Sequence, residues 1–320
     1  MGFALTFLGL QKKADLPCFS KSRYQTMKTT KILKKERIGT FNEEIRRMSR
    51  FKLFQYFSAS SSKKVKATLI IKNQIWQSYQ NIKNGMEPTP EGNLRSYWYS
   101  HIKPTLGREG LLSAKHDHYQ TMLDVFNEMV REYQLFQYVD FNFDDDNFEN
   151  TKIATKLFNV IVFAEKAGWF RTLKELHQKY GMTITALKGM PSLLSTEYLT
   201  HFLKKVTTLD QKFYIISAVD YDPSGSIIAN SFVEQLQSYG LNEVELIHLI
   251  ELKNYPKEDI ELFKFPIPSK HELKVKKWLE ETGGIDGKAY GLEADSMPRS
   301  RFKMLVQTTL EERGLILNGG

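Results

Sequence analysis

Residues 213–225 read FYIISAVDYDPSG, an order that little but a buried strand turning into a helix accommodates. The run from Phe213 to Val219 is apolar, rich in β-branched and aromatic side chains, and short, which marks a strand covered on both faces. It stops at Asp220 and Asp222; Pro223, Ser224 and Gly225 follow, and then a helical pattern begins. Open parallel sheets place their sites just past the carboxyl ends of their strands. If the backbone stays extended there, Asp220 and Asp222 project to the same side. Upstream, NVIVFAEKAG repeats the arrangement, with an apolar run that stops at Glu165. Three acids converging at strand ends make a pocket of hard oxygen donors suited to Mg²⁺. Asp-x-Asp-x-x-Gly is also the spacing of an Asx-turn capping a helix, and that alternative stands beside the metal pocket.

Around this segment the chain alternates strand and helix. Strands are expected at Val160–Ala164, Thr183–Leu187, Phe213–Val219 and near Val244–Leu249. Helices are expected at Phe170–Tyr180, Ser195–Lys205, Ser226–Tyr239 and Glu272–Glu281. Alternation of this kind implies an α/β fold with a mostly parallel sheet flanked by helices. Residues 66–148 have a different texture. A helical segment at Leu69–Ile82 gives way to a Pro- and Gly-containing break at Met86–Gly92. NLRSYWYSHIKPTL and AKHDHYQTMLDVFNEMVREY then return to helical spacing, and FQYVDFNF alternates like a short strand. Helix, turn, helix and a strand pair is the order of a winged-helix domain. The acidic run Asp144–Asp146 reads as a solvated loop closing it, so the expected division is an arm over 1–65, a winged-helix domain over 66–148 and an α/β domain over 149–320.

The order of a strand-end glutamate, a helix, a second strand with a glycine turn, and a strand ending in Asp-x-Asp resembles the toprim domain of topoisomerases, primases and related nucleases. The resemblance implies that Glu165, Asp220 and Asp222 are the acids that hold Mg²⁺ for phosphoryl chemistry, and that Gly225 opens the following helix. A helix N-terminus at that point suits a phosphate. LKGMPSLLSTEYL, residues 187–199, resembles the loop after the second strand in the A subunit of DNA topoisomerase VI and the related meiotic double-strand-break proteins. Lys188, Gly189, Pro191 and Leu193 fit that pattern, whereas Thr196 stands where the family usually carries an arginine. YGLEADSMP, residues 290–298, resembles a later segment of the same family and implies a supporting role for Glu293. Read without the family, Glu293 and Asp295 are equally well exposed helix or loop acids.

Members of that family cut DNA with a tyrosine that lies in a winged-helix domain ahead of the toprim domain. Their pattern is an arginine, two residues, an aromatic residue and the attacking tyrosine. Arg95, Ser96, Tyr97, Trp98 and Tyr99 fit it, with Trp98 in the place of the usual Phe or Tyr. The resemblance makes Tyr99 the nucleophile and Arg95 its partner for the scissile phosphate. On a helix the two, four residues apart, share a face. A guanidinium binds phosphate in fork geometry, and a phenol with a pKa of about 10 needs a cation or base beside it. Tyr97 is the second choice. Three packing aromatics in a helix is the alternative without chemistry.

Composition sets the partners. A formal net charge of +8 favours a polyanion. Lys270, Lys274, Lys276 and Lys277 form one basic face. The single cysteine, Cys18, excludes an intramolecular disulfide and a cysteine-based zinc cluster, and suits a reducing compartment. His116 and His118 flank Asp117 without metal-ligand spacing, and no phosphate-binding loop of an ATPase is present. No apolar run reaches membrane-spanning length, and the opening MGFALTFLGLQKK has no basic region before its apolar patch, so it is not read as a secretory signal. The expectation is a cytoplasmic, nucleoid-associated enzyme that cleaves double-stranded DNA by Mg²⁺-dependent tyrosine transesterification. By the resemblance it works as a homodimer, one protomer's tyrosine meeting the other's acids, and a separate ATPase B-type subunit is a possible partner. Two alternatives stay open: a toprim nuclease cutting by activated water, and a DNA-binding module without cleavage.

Overall fold

A computed structural model describes residues 67–108, 117–268 and 272–317, without the side chain of residue 69. The basic arm over 1–65, Cys18, His116 and Lys270 lie outside the described residues. The chain forms two compact units. One takes in residues up to 80 and 102–135, the other 81–101 and 136 onward.

The first unit's described elements are helices. They are α1 (Ala67–Lys83), α3 (Lys103–Arg108) and α4 (Tyr119–Arg131); α2 (Leu94–Tyr97) belongs to the second unit. The apolar residues of α4 fall at three- and four-residue steps. Met122, Val125, Phe126, Met129 and Val130 are therefore buried together. Lys72 of α1 pairs with Glu128 at 2.8 Å and sits over the Tyr133 ring.

The second unit carries a five-stranded sheet in the order β1-β3-β2-β4-β5. The strands are β1 (Thr151–Lys152), β2 (Val160–Ala164), β3 (Thr183–Ala186), β4 (Lys212–Ala218) and β5 (Glu243–His248). β2 is parallel to β3 and β4, and β4 to β5; only the edge pair β1–β3 is antiparallel. β2 reads as an unbroken apolar run, VIVFA, because both its faces are covered; the β3 side chains Thr183 and Thr185 and Ser217 of β4 are buried polar residues. Val160, Val162 and Ala164 face one layer, in which α5 (Phe170–Tyr180) and α10 (Arg299–Glu312) bury Trp169, Leu173, Leu176, Phe302, Val306 and Leu310. Ile161, Phe163, Phe213 and Ile215 face the other. There α6 (Leu193–Val206) and α7 (Pro223–Ser238) bury Leu199, Leu203, Ile228, Phe232 and Leu236. Beyond β5 come α8 (Lys257–Phe263), a two-stranded ribbon of β6 (Phe265–Pro266) and β7 (Tyr290–Gly291), and α9 (Glu272–Thr282) between its strands. No described helix is long and apolar enough to cross a membrane.

The register sets the positions that matter. Ala164 pairs with both Ala186 and Ala218, so β2, β3 and β4 end level at one sheet edge. From β2 the chain crosses by α5 to β3 on one side, then returns to β4 on the other. β2 and β4 therefore flank a topological switch point, where open α/β sheets leave a crevice.

Two expectations fail. FQYVDFNF is not a strand: Tyr138–Phe141 is a 3-10 helix. Its aromatic residues turn inward, with Phe141 and Phe143 at 5.6 and 5.4 Å from the Tyr97 ring. Clustering around Tyr97, not strand alternation, produces the spacing. The winged-helix expectation loses the strand pair on which it rested. The acidic run is also more than solvated loop. Asp145 accepts the Ser195 hydroxyl at 2.6 Å, and Asp146 accepts the Asn93 amide at 3.3 Å. It ties the starts of α6 and α2 into the second unit.

Candidate functional site

The level ends of β2 and β4 bring Glu165 and Asp220 to the switch point from segments far apart in sequence. Glu165 N–H donates to the Ala218 carbonyl at 3.4 Å, which continues the β2–β4 pairing one residue past the strand. Gly189 N–H donates to the Glu165 carbonyl at 2.9 Å, so the turn after β3 closes over the same point. That turn is left-handed at two successive residues, Lys188 at φ +57° and Gly189 at φ +106°. Glycine adopts such angles freely and lysine at a cost. The Lys188 ammonium reaches the Asp146 carbonyl at 3.4 Å.

Asp222 is the N-cap of α7. Its Oδ1 accepts Gly225 N–H at 2.7 Å, and Pro223 occupies the first turn, where its missing N–H costs nothing. Gly225 is required by crowding. A Cβ there would lie 2.0 Å from the Asp220 carbonyl oxygen. The helix start thus presses directly on the backbone that carries Asp220.

Tyr221 and Leu292 exchange backbone hydrogen bonds at 2.8 and 3.1 Å, an isolated antiparallel bridge. It delivers Glu293, Ala294 and Asp295 to the acids. Asp220 Oδ1 accepts Ala294 N–H at 2.7 Å and Lys166 Nζ at 3.1 Å. Lys166 Nζ also pairs closely with Glu293 Oε2 and lies 3.6 Å from Asp295 Oδ2. Asp295 in turn takes Arg299 at 2.7 Å, whose guanidinium stacks 3.4 Å from the Trp169 ring centroid. Two cations are therefore threaded among the carboxylates.

Burial, then the charges of Asp220, Asp222 and Glu293, push the Glu165 carboxyl above its ordinary range, against the pull of Lys166. Asp220 is also raised. Burial outweighs the Ala294 N–H and the Lys166 ammonium, both of which favour its charged form. Burial opposes the charge on Lys166, yet the hydrogen bonds to Glu293 and Asp220 win and hold it protonated far into the alkaline range. The site is one coupled set of charges.

Carboxylate oxygens gather at this crevice around the Lys166 ammonium, and Glu165 Oε2 is buried without a hydrogen-bond partner. In kind, the donors fit a divalent cation such as Mg²⁺. As placed, no three His, Cys, Asp or Glu side chains among the described residues form a group able to hold a metal ion. Lys166 pairs with Asp220, Glu293 and Asp295 instead.

Arg95 and Tyr99 meet as i, i+4 neighbours, the guanidinium 5.3 Å from the ring centroid. Both are exposed, Tyr99 at 38%. Tyr97 and Trp98 are fully buried, so of the two candidate tyrosines only Tyr99 faces solvent. Residues Trp98–Ile102 form a turn of π-helix, and Tyr97 and Tyr99, two residues apart, point to opposite sides. Thr196 is interior, its hydroxyl bonded to Gln235 at 2.8 Å. This position has no room for the arginine the resemblance would place there.

Sequence reasoning passed over Lys166 as a member of the site. Its signal was present: a lysine directly after a strand-end glutamate, on a chain whose other acids gather at the same edge. No protein-family model and no curated protein matches this sequence.

Proposed function

We propose that this protein cleaves double-stranded DNA by tyrosine transesterification at a Mg²⁺-dependent, toprim-like α/β site. One observation carries the reading: Glu165 and Asp220, 55 positions apart, meet at the β2–β4 switch point beside the α7 N-terminus capped by Asp222. Tyr99 is the nucleophile. Its Oη forms a bond to a backbone phosphorus, the bond from phosphorus to one sugar oxygen breaks, and that oxygen takes a proton while the phenol gives its own to solvent. Arg95 against the ring stabilises the phenolate and offers a fork to the phosphate. When bound at Glu165, Asp220 and Asp222, Mg²⁺ supplies charge stabilisation for the phosphate and the leaving oxygen. The Lys188–Gly189 turn lies beside the crevice, and the positive charge of the chain draws a strand's phosphates toward it. The phosphotyrosyl ester conserves the bond, so the reverse attack reseals the strand. By the family resemblance the working form is a homodimer that joins one protomer's Tyr99 to its partner's acids, and an ATPase subunit is a possible further partner.

The test is supercoiled plasmid with Mg²⁺, denatured with and without protease. Cut DNA carrying covalently bound protein is expected, and Tyr99→Phe is expected to abolish it. Cleavage that survives Tyr99→Phe means water is the nucleophile and the protein is a hydrolase. The cations threaded through the acids favour one second reading, a DNA-binding module that does not cut. That protein binds duplex equally well with and without Mg²⁺.

A further inference from the structure

The carboxylates at the switch point already have a cation. Lys166 Nζ contacts Asp220 Oδ1 at 3.1 Å, Asp295 Oδ2 at 3.6 Å, and Glu293 Oε2 more closely still. These partners come from two separate segments, the end of β4 and the turn before α10. The Tyr221–Leu292 bridge holds those segments together. Glu293 and Asp295 are about half exposed, but Asp220 is only 12% exposed, so its ion pair with Lys166 is less screened than a surface pair. Glu165, the residue next to this lysine, keeps a buried carboxylate oxygen with no partner. Lys166 thus satisfies Asp220 and Glu293 and leaves Glu165 unmet.

We propose that Lys166 is an internal counter-ion that occupies the acid cluster in the metal-free protein and must leave before a divalent ion binds Asp220. The proposal rests on reading Glu165, Asp220 and Asp222 as the metal acids. Two cations cannot share Asp220 at contact distance without strong repulsion in a partly buried site. Entry of the ion therefore expels the ammonium, which then lies beside the crevice, free to meet a phosphate oxygen of the incoming strand. Lys166 becomes a positioning residue that couples metal occupancy to the charge offered to DNA, and it weakens metal binding in the absence of substrate.

The experiment measures Mn²⁺ binding to the DNA-free chain by electron paramagnetic resonance, in the wild type, Lys166→Met and Asp220→Asn. Lys166→Met is expected to bind Mn²⁺ at least tenfold more tightly than the wild type, and Asp220→Asn to lose the site. Equal or weaker binding by Lys166→Met, with the wild type binding and Asp220→Asn not, overturns the counter-ion role while the metal reading stands. No binding by wild type or Lys166→Met overturns both. Should Lys166→Met fail to fold, the wild type still decides. Labelling of Lys166 by an amine-reactive ester, quantified by peptide mass spectrometry, is expected to rise severalfold when Mg²⁺ is added. Unchanged labelling in a chain that binds the ion overturns the proposal.

Discussion

At the scale of single residues, Gly225 shows how closely the site is tied to its backbone. A Cβ at this position would meet the Asp220 carbonyl oxygen at 2.0 Å, its carbonyl carbon at 3.0 Å and its nitrogen at 3.1 Å. All three are main-chain atoms, so a rotamer change relieves none of them. Gly225→Ala is expected to destabilise the fold by about 3 kcal/mol, at the upper end for overpacking, measured by urea unfolding. It is also expected to displace Asp220 and lower Mg²⁺-dependent cleavage beyond what the stability loss explains. A neutral effect on both would mean that α7 slides away from β4 without cost. Glycine after Asp-x-Asp was legible in the sequence as a helix opener. Its actual reason, the carbonyl beneath it, lies in the packing. Lys166 is a similar case: its adjacency to Glu165 marks it as a neighbour of the site, but where four methylenes carry its ammonium is decided by packing.

Among the elements, α6 carries a device outside the site. Glu197 is almost fully buried on this helix and accepts Val139 N–H at 2.9 Å, so it holds the 3-10 turn at Tyr138–Phe141. Burial is the main cause that lifts its carboxyl from 4.5 to about 7, against the backbone hydrogen bonds to Val139 and Tyr138 that favour the charge. A raised carboxyl means that the folded state binds more protons than the unfolded chain between these two values. Its contribution to stability is therefore greatest at acid pH and declines as pH climbs from about 4.5 to about 7. The shift corresponds to about 3 kcal/mol. Glu197→Gln keeps the acceptor and removes the titration. The difference in unfolding midpoint between pH 5 and pH 8 is expected to shrink in this variant; an unchanged difference would place the pH dependence elsewhere, in Glu165 or Asp220. This turn is also where sequence reasoning misread an element. In FQYVDFNF the buried Phe136, Tyr138, Phe141 and Phe143 mimic alternation. Phe141 and Phe143 pack on the Tyr97 ring and Phe136 packs on Phe141, and Tyr97 lies about forty residues away in sequence.

On the scale of the whole molecule, the dimer proposed above has a distinctive consequence. If each site takes Tyr99 from one protomer and Asp220 from the other, a heterodimer of Tyr99→Phe and Asp220→Asn has one intact site and one doubly defective site. Mixing the two inactive variants after unfolding and refolding together is expected to restore nicking of supercoiled DNA, at up to about half of the dimers. Restoration that fails although both variants dimerise would mean that each site is built within one chain. The net charge of +8 bears on the same assay. Phosphate contacts by lysine and arginine make duplex binding fall steeply with salt, so the mixing experiment belongs at low ionic strength.

The α/β class and the mostly parallel sheet follow from local pattern. Buried strands such as Val160–Ala164 and Phe213–Val219 are largely apolar, and Ser217 within the second is hydrogen-bonded to His248. Amphipathic helices such as Phe170–Tyr180 must repeat at three and four residues. Both demands are written within short windows of sequence. Those windows also place Glu165, Asp220 and Asp222 at strand ends. Contacts between distant segments decided the rest: the level register of Ala164 and Ala218, the Tyr221–Leu292 bridge that delivers Glu293, the burial of Thr196, and the reach of Lys166 into the acids. Charge and packing act through space, and separation along the chain does not encode separation in space.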